Sequence, residues 1–433
     1  MRIPERSKRP ESKAGRGSGE RDDPTVAAGR SRVNEAFRAA FMLENQTLDG
    51  IRCGVATAIA VVLRRKSCAI IPPMTMNPIP ASTRTFARPL DAIDARFEAQ
   101  KLAFGPVVFQ CVRIARKWGV LESLDRAEAG QTVAELARQL GRSGYALSVL
   151  LESCLSAGVV RLDGGRFRIE KIGQFVLCDE LTRVNFEFVQ EICYSGMMAL
   201  ESALSEGRPA GLKELGPWDT IYRGLRDLPE VSKRAWFDFD HHYSDSAFAT
   251  ALPLVFANRP LRLMDIGANT GKWARQCLDY DDTVQMTLVD LPEQIGVARA
   301  NLHGYAGRIA YSEVDVLDAS ASFPDAQDAV WMSQFLSCFS IETMLSILRR
   351  AAASLNPEGR VFVLDTFWDR QRFDIAAYCI INTSPYFTAI ANGVSKMYRS
   401  QEYIELAARA GLRLVDVRDE IGLSHSLLVF ARA

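Results

Sequence analysis

Three aspartates at the ends of successive apolar runs, together with one glycine-rich turn, carry the clearest chemistry in this sequence. Leu263-Met-Asp265-Ile-Gly267-Ala-Asn269-Thr-Gly271-Lys-Trp reads as a strand ending near Ile266, a turn of small residues, and a helix starting near Lys272. Small residues let a ligand approach the backbone, and a helix N-terminus presents N–H groups with no partner in the helix. Asp290 closes the next apolar run in Val289-Asp-Leu-Pro292, 25 residues after Asp265. A carboxylate there can accept both hydroxyls of a ribose. Asp315 closes the third run, in Val314-Asp-Val-Leu317, where a carboxylate can accept from an adenine amino group. One such acid would read as a loop residue; three at successive strand ends imply a nucleoside site. The pattern Gly-x-Asn-x-Gly followed by Lys272 lacks the third glycine of a dinucleotide fingerprint.

The elements needed to hold these groups are legible around them. Apolar runs at Leu261–Ile266, Val284–Val289, Ile309–Val314, Ala329–Met332 and Val361–Leu364 alternate with helical patterns near 272–280, 292–302, 341–355 and 400–410. That alternation predicts a parallel sheet covered by helices. Two further runs, Leu412–Val417 and Ser426–Ala431, predict a closing antiparallel hairpin, which favours a methyltransferase sheet over a dehydrogenase sheet. Upstream, residues 91–124 read as amphipathic helix, 131–140 as a helix stopped by Gly141, and Tyr145–Ala157 as a helix capped by Ser143. Val159–Leu162 and Arg166–Ile169 flank Asp163-Gly-Gly165 as a hairpin, completing the plan of a winged helix. The helix in the recognition position, 145–157, contains no Lys or Arg, which argues against DNA as its partner. Residues 186–255 read as a mostly helical linker or lid.

The bulk properties are those of an ordinary soluble composition. Of 433 residues, 48% are hydrophobic and 24% charged, and the net charge is zero. Residues 1–85 hold 15 Lys/Arg against 8 Asp/Glu, so the remainder carries −7, an unfavourable balance for nucleic acid. Nine cysteines without a CxxC pair indicate free thiols in a reducing compartment, with no metal site. The first 85 residues read as a disordered extension, and Met74 and Met76 stand where a natural start is expected, which would make residues 1–75 an over-extended reading frame. The apolar run Gly54–Leu63 is ten residues long, too short for a membrane span of about 20.

Residues 90–433 resemble the winged-helix, dimeric class I O-methyltransferases, which include plant phenylpropanoid and bacterial polyketide or hydroxyneurosporene enzymes. Asp265–Gly271 is similar to the family's glycine-rich loop, Val289-Asp-Leu-Pro292 to its ribose motif, and Asp315-Val-Leu317 to its adenine motif. Asp328–Ser340 occupies the family's catalytic segment, and Asn392-Gly393, Tyr398-Arg-Ser and Glu402 resemble the stretch before its last helix. The resemblance implies a Rossmann-like α/β domain over 256–433 that binds S-adenosylmethionine, a winged-helix dimerisation domain over 90–185, and a lid over 186–255. It also implies a cytoplasmic homodimer acting in secondary metabolism, with no nucleic-acid or membrane partner. Asp265, Gly267, Asn269, Gly271, Asp290, Leu291, Asp315, Val316, Ser333 and Gln334 are the expected cofactor-binding residues.

The resemblance breaks at the base. The family carries a His as general base, and here the segment reads Leu336-Ser-Cys-Phe-Ser340, with Ser337 at that position. A serine hydroxyl cannot act as that base unaided. Ser333 likewise replaces a Lys found in many relatives. His241 and His242, in Trp236–Asp245, are the expected catalytic residues, one of them orienting or deprotonating the acceptor with Tyr243 and Asp240 or Asp245 nearby. His303 reads as solvated and His425 as flanking the pocket. The expected lining is Phe186, Phe188, Met197, Met198, Trp218, Trp331, Phe335, Tyr378, Tyr386 and Phe387, which suits a small aromatic or polyketide-like acceptor methylated at oxygen or ring carbon. The alternative is a protein that binds S-adenosylmethionine without methyl transfer, such as a ligand-sensing regulator.

Overall fold

The computed structural model describes residues 86–244 and 246–433. The expectations for the N-terminal extension, including its disorder, the start at Met74 or Met76 and the run Gly54–Leu63, lie outside the described residues.

The described chain opens with a long helix, α1 (Ala92–Lys117), whose first N–H groups are capped by Asp91. Gly119, at φ 77°, breaks what the sequence presents as one helix, and α2 (Val120–Arg126) follows. The left-handed backbone there suits glycine and ends the 3.6-residue period. Next comes α3 (Val133–Leu140), held by a reciprocal capping box between Thr132 and Glu135 and stopped by Gly141 at φ 62°. Ser143 caps α4 (Gly144–Ser156) through the Ala146 N–H. β1 (Val160–Asp163) and β2 (Arg166–Ile169) form the expected antiparallel hairpin. These elements bury their own core, built on Leu121, Leu124, Leu136, Leu147, Leu151 and Phe167.

Helices dominate the next stretch: α5 (Lys171–Cys178), α6 (Glu180–Phe188), α7 (Leu200–Glu206), α8 (Ile221–Gly224), α9 (Glu230–Ser244) and α10 (Phe248–Val255). The sheet region then runs β3 (Arg262–Ile266), α11 (Lys272–Tyr280), β4 (Gln285–Asp290), α12 (Pro292–Asn301), β5 (Ile309–Glu313), β6 (Gln327–Ser333), α13 (Ile341–Ser354) and β7 (Leu355–Asp365). It ends with α14 (Asp374–Tyr386), α15 (Ser400–Arg409), β8 (Leu412–Ile421) and β9 (His425–Arg432).

The seven strands lie in the order β5-β4-β3-β6-β7-β9-β8. The first five are parallel; β9 pairs antiparallel with both β7 and β8, giving the closing hairpin. One face of the sheet packs on α10 and α11 through Trp273, Leu278, Trp331 and Phe362. The other packs on α13 and α15 through Met344, Leu348, Tyr403 and Leu406. Strand order reverses between β3 and β6, and an open parallel sheet places its ligand crevice beyond the strand ends at that switch.

Three expectations need correction. Asp315 does not end β5: the strand stops at Glu313, and Asp315 sits two residues on in a turn where its own carboxylate accepts the Leu317 N–H. β7 begins at Leu355, six residues before the apolar run, because Leu355 pairs with Gln327 ahead of a register shift. His425 does not flank a pocket. It is 1% exposed at the start of β9, and neither ring nitrogen has a hydrogen-bond partner.

Burial without a partner pushes His425 down to about 4, against an ordinary value of 6.5. The unfolded chain therefore binds this proton below pH 6.5 while the folded chain does not, so His425 costs stability as pH falls from 6.5 toward 4. At 1.36 kcal/mol per unit the expected loss is roughly 3 kcal/mol. Buried Asp265 and Asp365 act in the opposite sense, so the effect is read as a difference. Denaturant unfolding of wild type and His425→Met at pH 7 and pH 4.5 should show the smaller acid loss in the variant; parallel losses would contradict it.

Candidate active site

A cleft of about 580 Å³ opens at the switch point, beyond the C-terminal ends of β3, β4, β6 and β7. At one end lies the glycine-rich turn. Gly267 has φ 81°, and a Cβ there would fall inside the contact distance of the Phe335 ring. Asn269 also adopts a left-handed φ of 49°, and its N–H donates to Asp290 Oδ2 at 2.8 Å. The Leu291 N–H donates to Asp290 Oδ1 at 2.8 Å. The Asp290 carboxylate thus bridges the two turns, and each oxygen keeps a free lone pair. Burial raises its pKa, opposed by these two N–H groups.

Asp265 lies deeper, 3% exposed, with Oδ2 unpartnered. Burial, with the Asp290 charge as the second cause, pushes it up to about 8. Beside it Trp273 and Trp331 stack at 3.9 Å, and both indole N–H groups are buried without partners, as is Ser333 Oγ. Gln334 takes a φ of 47° where β6 ends, and its N–H donates to Leu364 O at 2.8 Å.

Asp315 faces Arg223 of α8 across the mouth of the cleft at 4.0 Å. Leu291, Val316, Leu317 and Gln294 line the wall between Asp290 and Asp315.

The other end is aromatic. Phe188 stacks on Phe239 at 3.9 Å and meets Tyr386 edge-on at 4.9 Å. Trp236 of α9 donates its indole N–H to the Tyr386 hydroxyl of α14 at 2.8 Å, tying two walls together. Phe335 and Phe387 complete this chamber. Of the expected lining, Phe188, Trp331, Phe335, Tyr386 and Phe387 face the cleft. The others do not. Phe186 stacks on Phe109 at 5.0 Å, Met197 and Trp218 pack in the helical core, and Met198 and Tyr378 are exposed.

The two histidines separate. His241 lines the cleft from α9, together with Asp240 and Tyr243. His242 is not among the lining residues; burial lowers its pKa, and Glu180, Asp179 and Arg183 are its charged neighbours. Asp245 lies outside the described residues. Gly271 is also not among the lining residues: a Cβ there would press on Leu302, so this glycine serves the packing of α11 against the residue that follows α12. His303 is exposed, with Nδ1 3.0 Å from Ala300 O.

Among the cleft residues that sequence reasoning missed, one is a buried acid. Asp365 ends β7 and lines the cleft while only 2% exposed. Its Oδ1 accepts the Thr366 N–H and its Oδ2 accepts the Tyr403 hydroxyl, both at 2.8 Å. The Ser337 hydroxyl and N–H also bear on it and favour its charged form, yet burial outweighs them and pushes it up to about 6. The signal was present: Val361-Phe-Val-Leu-Asp365 repeats the strand-end acid that singles out Asp265 and Asp290.

Two families match this chain: a Dimerisation2-like domain over residues 96–167 and an O-methyltransferase domain over residues 248–413. The chain therefore carries a Dimerisation2-like domain followed by an O-methyltransferase domain. It is an S-adenosylmethionine-dependent methyltransferase. One relative is the bacteriochlorophyllide d C-20 methyltransferase of Chlorobaculum tepidum, 22% identical over 340 residues, covering 76% of this chain and 97% of that protein. The fold is shared with the methyltransferase SibL in its apo form, at 23% identity and a TM-score of 0.58, covering 77% of this chain and 98% of that one. It is shared too with an O-methyltransferase from neocarzinostatin biosynthesis, in complex with S-adenosylmethionine and 2-hydroxy-5-methyl naphthoic acid. That chain is 19% identical, with a TM-score of 0.53, and 75% of this chain and 96% of that one are covered.

The methyltransferase's cleft suits the cofactor's chemistry. Asp265 Oδ2, a buried acceptor with nothing to accept, fits an ammonium group, and the orphaned indole N–H groups and Ser333 hydroxyl fit a carboxylate. No helix among the described residues is long and apolar enough to cross a membrane.

Proposed function

We propose that this methyltransferase acts on a small, flat aromatic acceptor bearing a hydroxyl, at that oxygen or at the ring carbon it activates. The observation that carries this reading is the continuity of the cleft, from the acid-lined turn into the chamber of Phe188, Trp236, Phe239, Tyr386 and Phe387. The naphthoic acid bound by the neocarzinostatin enzyme and the bacteriochlorophyllide named for the Chlorobaculum enzyme support an aromatic acceptor.

In this reading Asp290 accepts the ribose hydroxyls and Asp315 the adenine amine, with Leu291 and Val316 along the base. Gly267 and Asn269 let the cofactor approach the backbone, while Asp265, Ser333 and Gln334 surround its amino-acid end. When bound, S-adenosylmethionine supplies a methyl group on a sulfonium, already a good leaving group. The chain's own task is then to align the acceptor, exclude water and remove one proton. His241 orients the acceptor from α9; His242 has no part in it. A homodimer forms through α1, which carries Ile93, Phe97, Leu102, Phe104 and Val107 exposed within or beside the Dimerisation2-like match.

The test is release of S-adenosylhomocysteine when the protein is given S-adenosylmethionine and a panel of hydroxynaphthoates, simpler phenols and hydroxylated polyketides. Turnover of any member supports the reading, and none contradicts it. On a turned-over acceptor, His241→Ala should lower kcat/KM about tenfold through lost alignment, and His242→Ala should leave it within about twofold. Equal losses from both variants would remove His241 from the site.

A further inference from the structure

We propose that Ser337 and Asp365 form the proton exit of the acceptor site, Ser337 meeting the acceptor hydroxyl and relaying its proton to Asp365. The inference rests on the preceding reading, that the acceptor carries a hydroxyl.

A structural carboxylate buried this deeply normally faces a cation. Among the described residues Asp365 has no ion pair. Its neighbours are neutral donors: the Thr366 N–H, the Tyr403 hydroxyl, and the N–H and hydroxyl of Ser337. Such a shell holds the anion in place while leaving it able to take up a proton. Burial keeps its pKa near 6, close to the working range of a general base.

Ser337 is 5% exposed, lines the same cleft, and sits in the short helical turn Leu336–Cys338 that follows β6. Asn392 fixes that turn by donating its side-chain N–H to Cys338 O at 3.0 Å. A hydroxyl is a poor base but both accepts and donates, so it can pass a proton it could not keep. In the step, the acceptor O–H bond breaks and its proton goes to Ser337 Oγ. The original Ser337 proton passes to a carboxylate oxygen of Asp365. The electron pair stays on the acceptor, which leaves an oxyanion able to react at oxygen or at the activated ring carbon. Tyr403, reaching Asp365 from α15, is a positioning residue.

The Cys338 thiol and the Tyr403 phenol beside Asp365 do not compete for this proton near neutrality. Burial pushes the Cys338 thiol up to about 12 and the Tyr403 phenol well above its ordinary value. Asp240, on α9, acts on Cys338 across the cleft.

The test has two arms on the full-length protein. The first is pH-difference infrared spectroscopy of wild type, Asp365→Asn and Ser337→Ala, each with S-adenosylhomocysteine. A protonated-carboxyl band titrating near pH 6 is expected in wild type, absent from Asp365→Asn, and shifted in Ser337→Ala. The second is the pH profile of turnover on any acceptor from the panel. Asp365→Asn should lower kcat about a hundredfold with little change in KM and remove the acidic limb, and Ser337→Ala should lower kcat while sparing S-adenosylhomocysteine affinity. Absence of an Asp365-dependent band, or a wild-type pH profile in Asp365→Asn, overturns the relay. If wild type turns over no panel member, the acceptor reading fails, and the infrared titration alone decides whether Asp365 is the proton acceptor that Ser337 feeds. Asparagine can still accept from Tyr403; should it fold poorly, Ser337→Ala carries both arms.

Discussion

Asp290→Ala is expected to weaken S-adenosylhomocysteine binding by at least tenfold, measured by calorimetry. The carboxylate lies where it can accept two ribose hydroxyls, and hydrogen bonds to a charged group contribute about 1.5–3 kcal/mol. The loss has a second source. Asp290 holds the Asn269 N–H and the Leu291 N–H at 2.8 Å each, so removing it also frees both turns that shape the cleft. Folding should suffer little, because burial already makes the ionised carboxylate costly in the free protein. Asp290→Asn keeps one acceptor without the charge, and its affinity should fall between the two. Wild-type affinity in Asp290→Ala would exclude the ribose role.

Gly267→Ala should damage both stability and binding. At φ 81° an L-residue strains the backbone by about 1–2 kcal/mol. The new methyl also meets the Phe335 ring, and overpacking of that kind costs about 1–3 kcal/mol. The summed loss of about 2–5 kcal/mol should appear in denaturant unfolding as a lower midpoint at unchanged slope. Pushing Phe335 aside also moves a wall of the cleft, so S-adenosylhomocysteine affinity should fall as well. The double variant Gly267→Ala/Phe335→Ala separates the causes: the clash disappears and the backbone strain stays. A double variant no more stable than the sum of the two single losses would argue against the clash.

Much of the sheet was legible because parallel strands buried on both faces read as continuous apolar runs, as at β3, β4, β6 and β7, whereas β5 is a half-exposed edge strand whose run is broken by Ser312 and Glu313. The strand-end acids Asp265 and Asp290 were legible for the same reason, since the end of a run locates the end of a strand. Asp315 was misplaced by two residues because the register stops at Glu313, while Val314 still donates its N–H to Asp290 O and carries the extended pattern one residue further. The lining was harder to read. Tyr378 and Tyr386 share α14, eight residues apart, yet one is exposed and the other sits beneath Trp236. Which aromatic turns inward depends on the neighbouring helix, and no local period records that. Ser337, Asp365 and Tyr403 lie 28 and 38 residues apart along the chain. Only the sheet and α15 bring them together, so the sequence displayed Ser337 and not what stands behind it.

The claim at the centre is that the cleft at the β3–β6 switch holds S-adenosylmethionine. Trp273 and Trp331, stacked beside Asp265 with free indole N–H groups, make that cleft observable by fluorescence. Titration of the protein with S-adenosylhomocysteine should change tryptophan emission saturably, with one site per chain. In Asp290→Ala the midpoint of the change should move at least tenfold upward in concentration, and NAD should not reproduce it. No saturable change in wild type, or an equal response to NAD, would contradict the assignment.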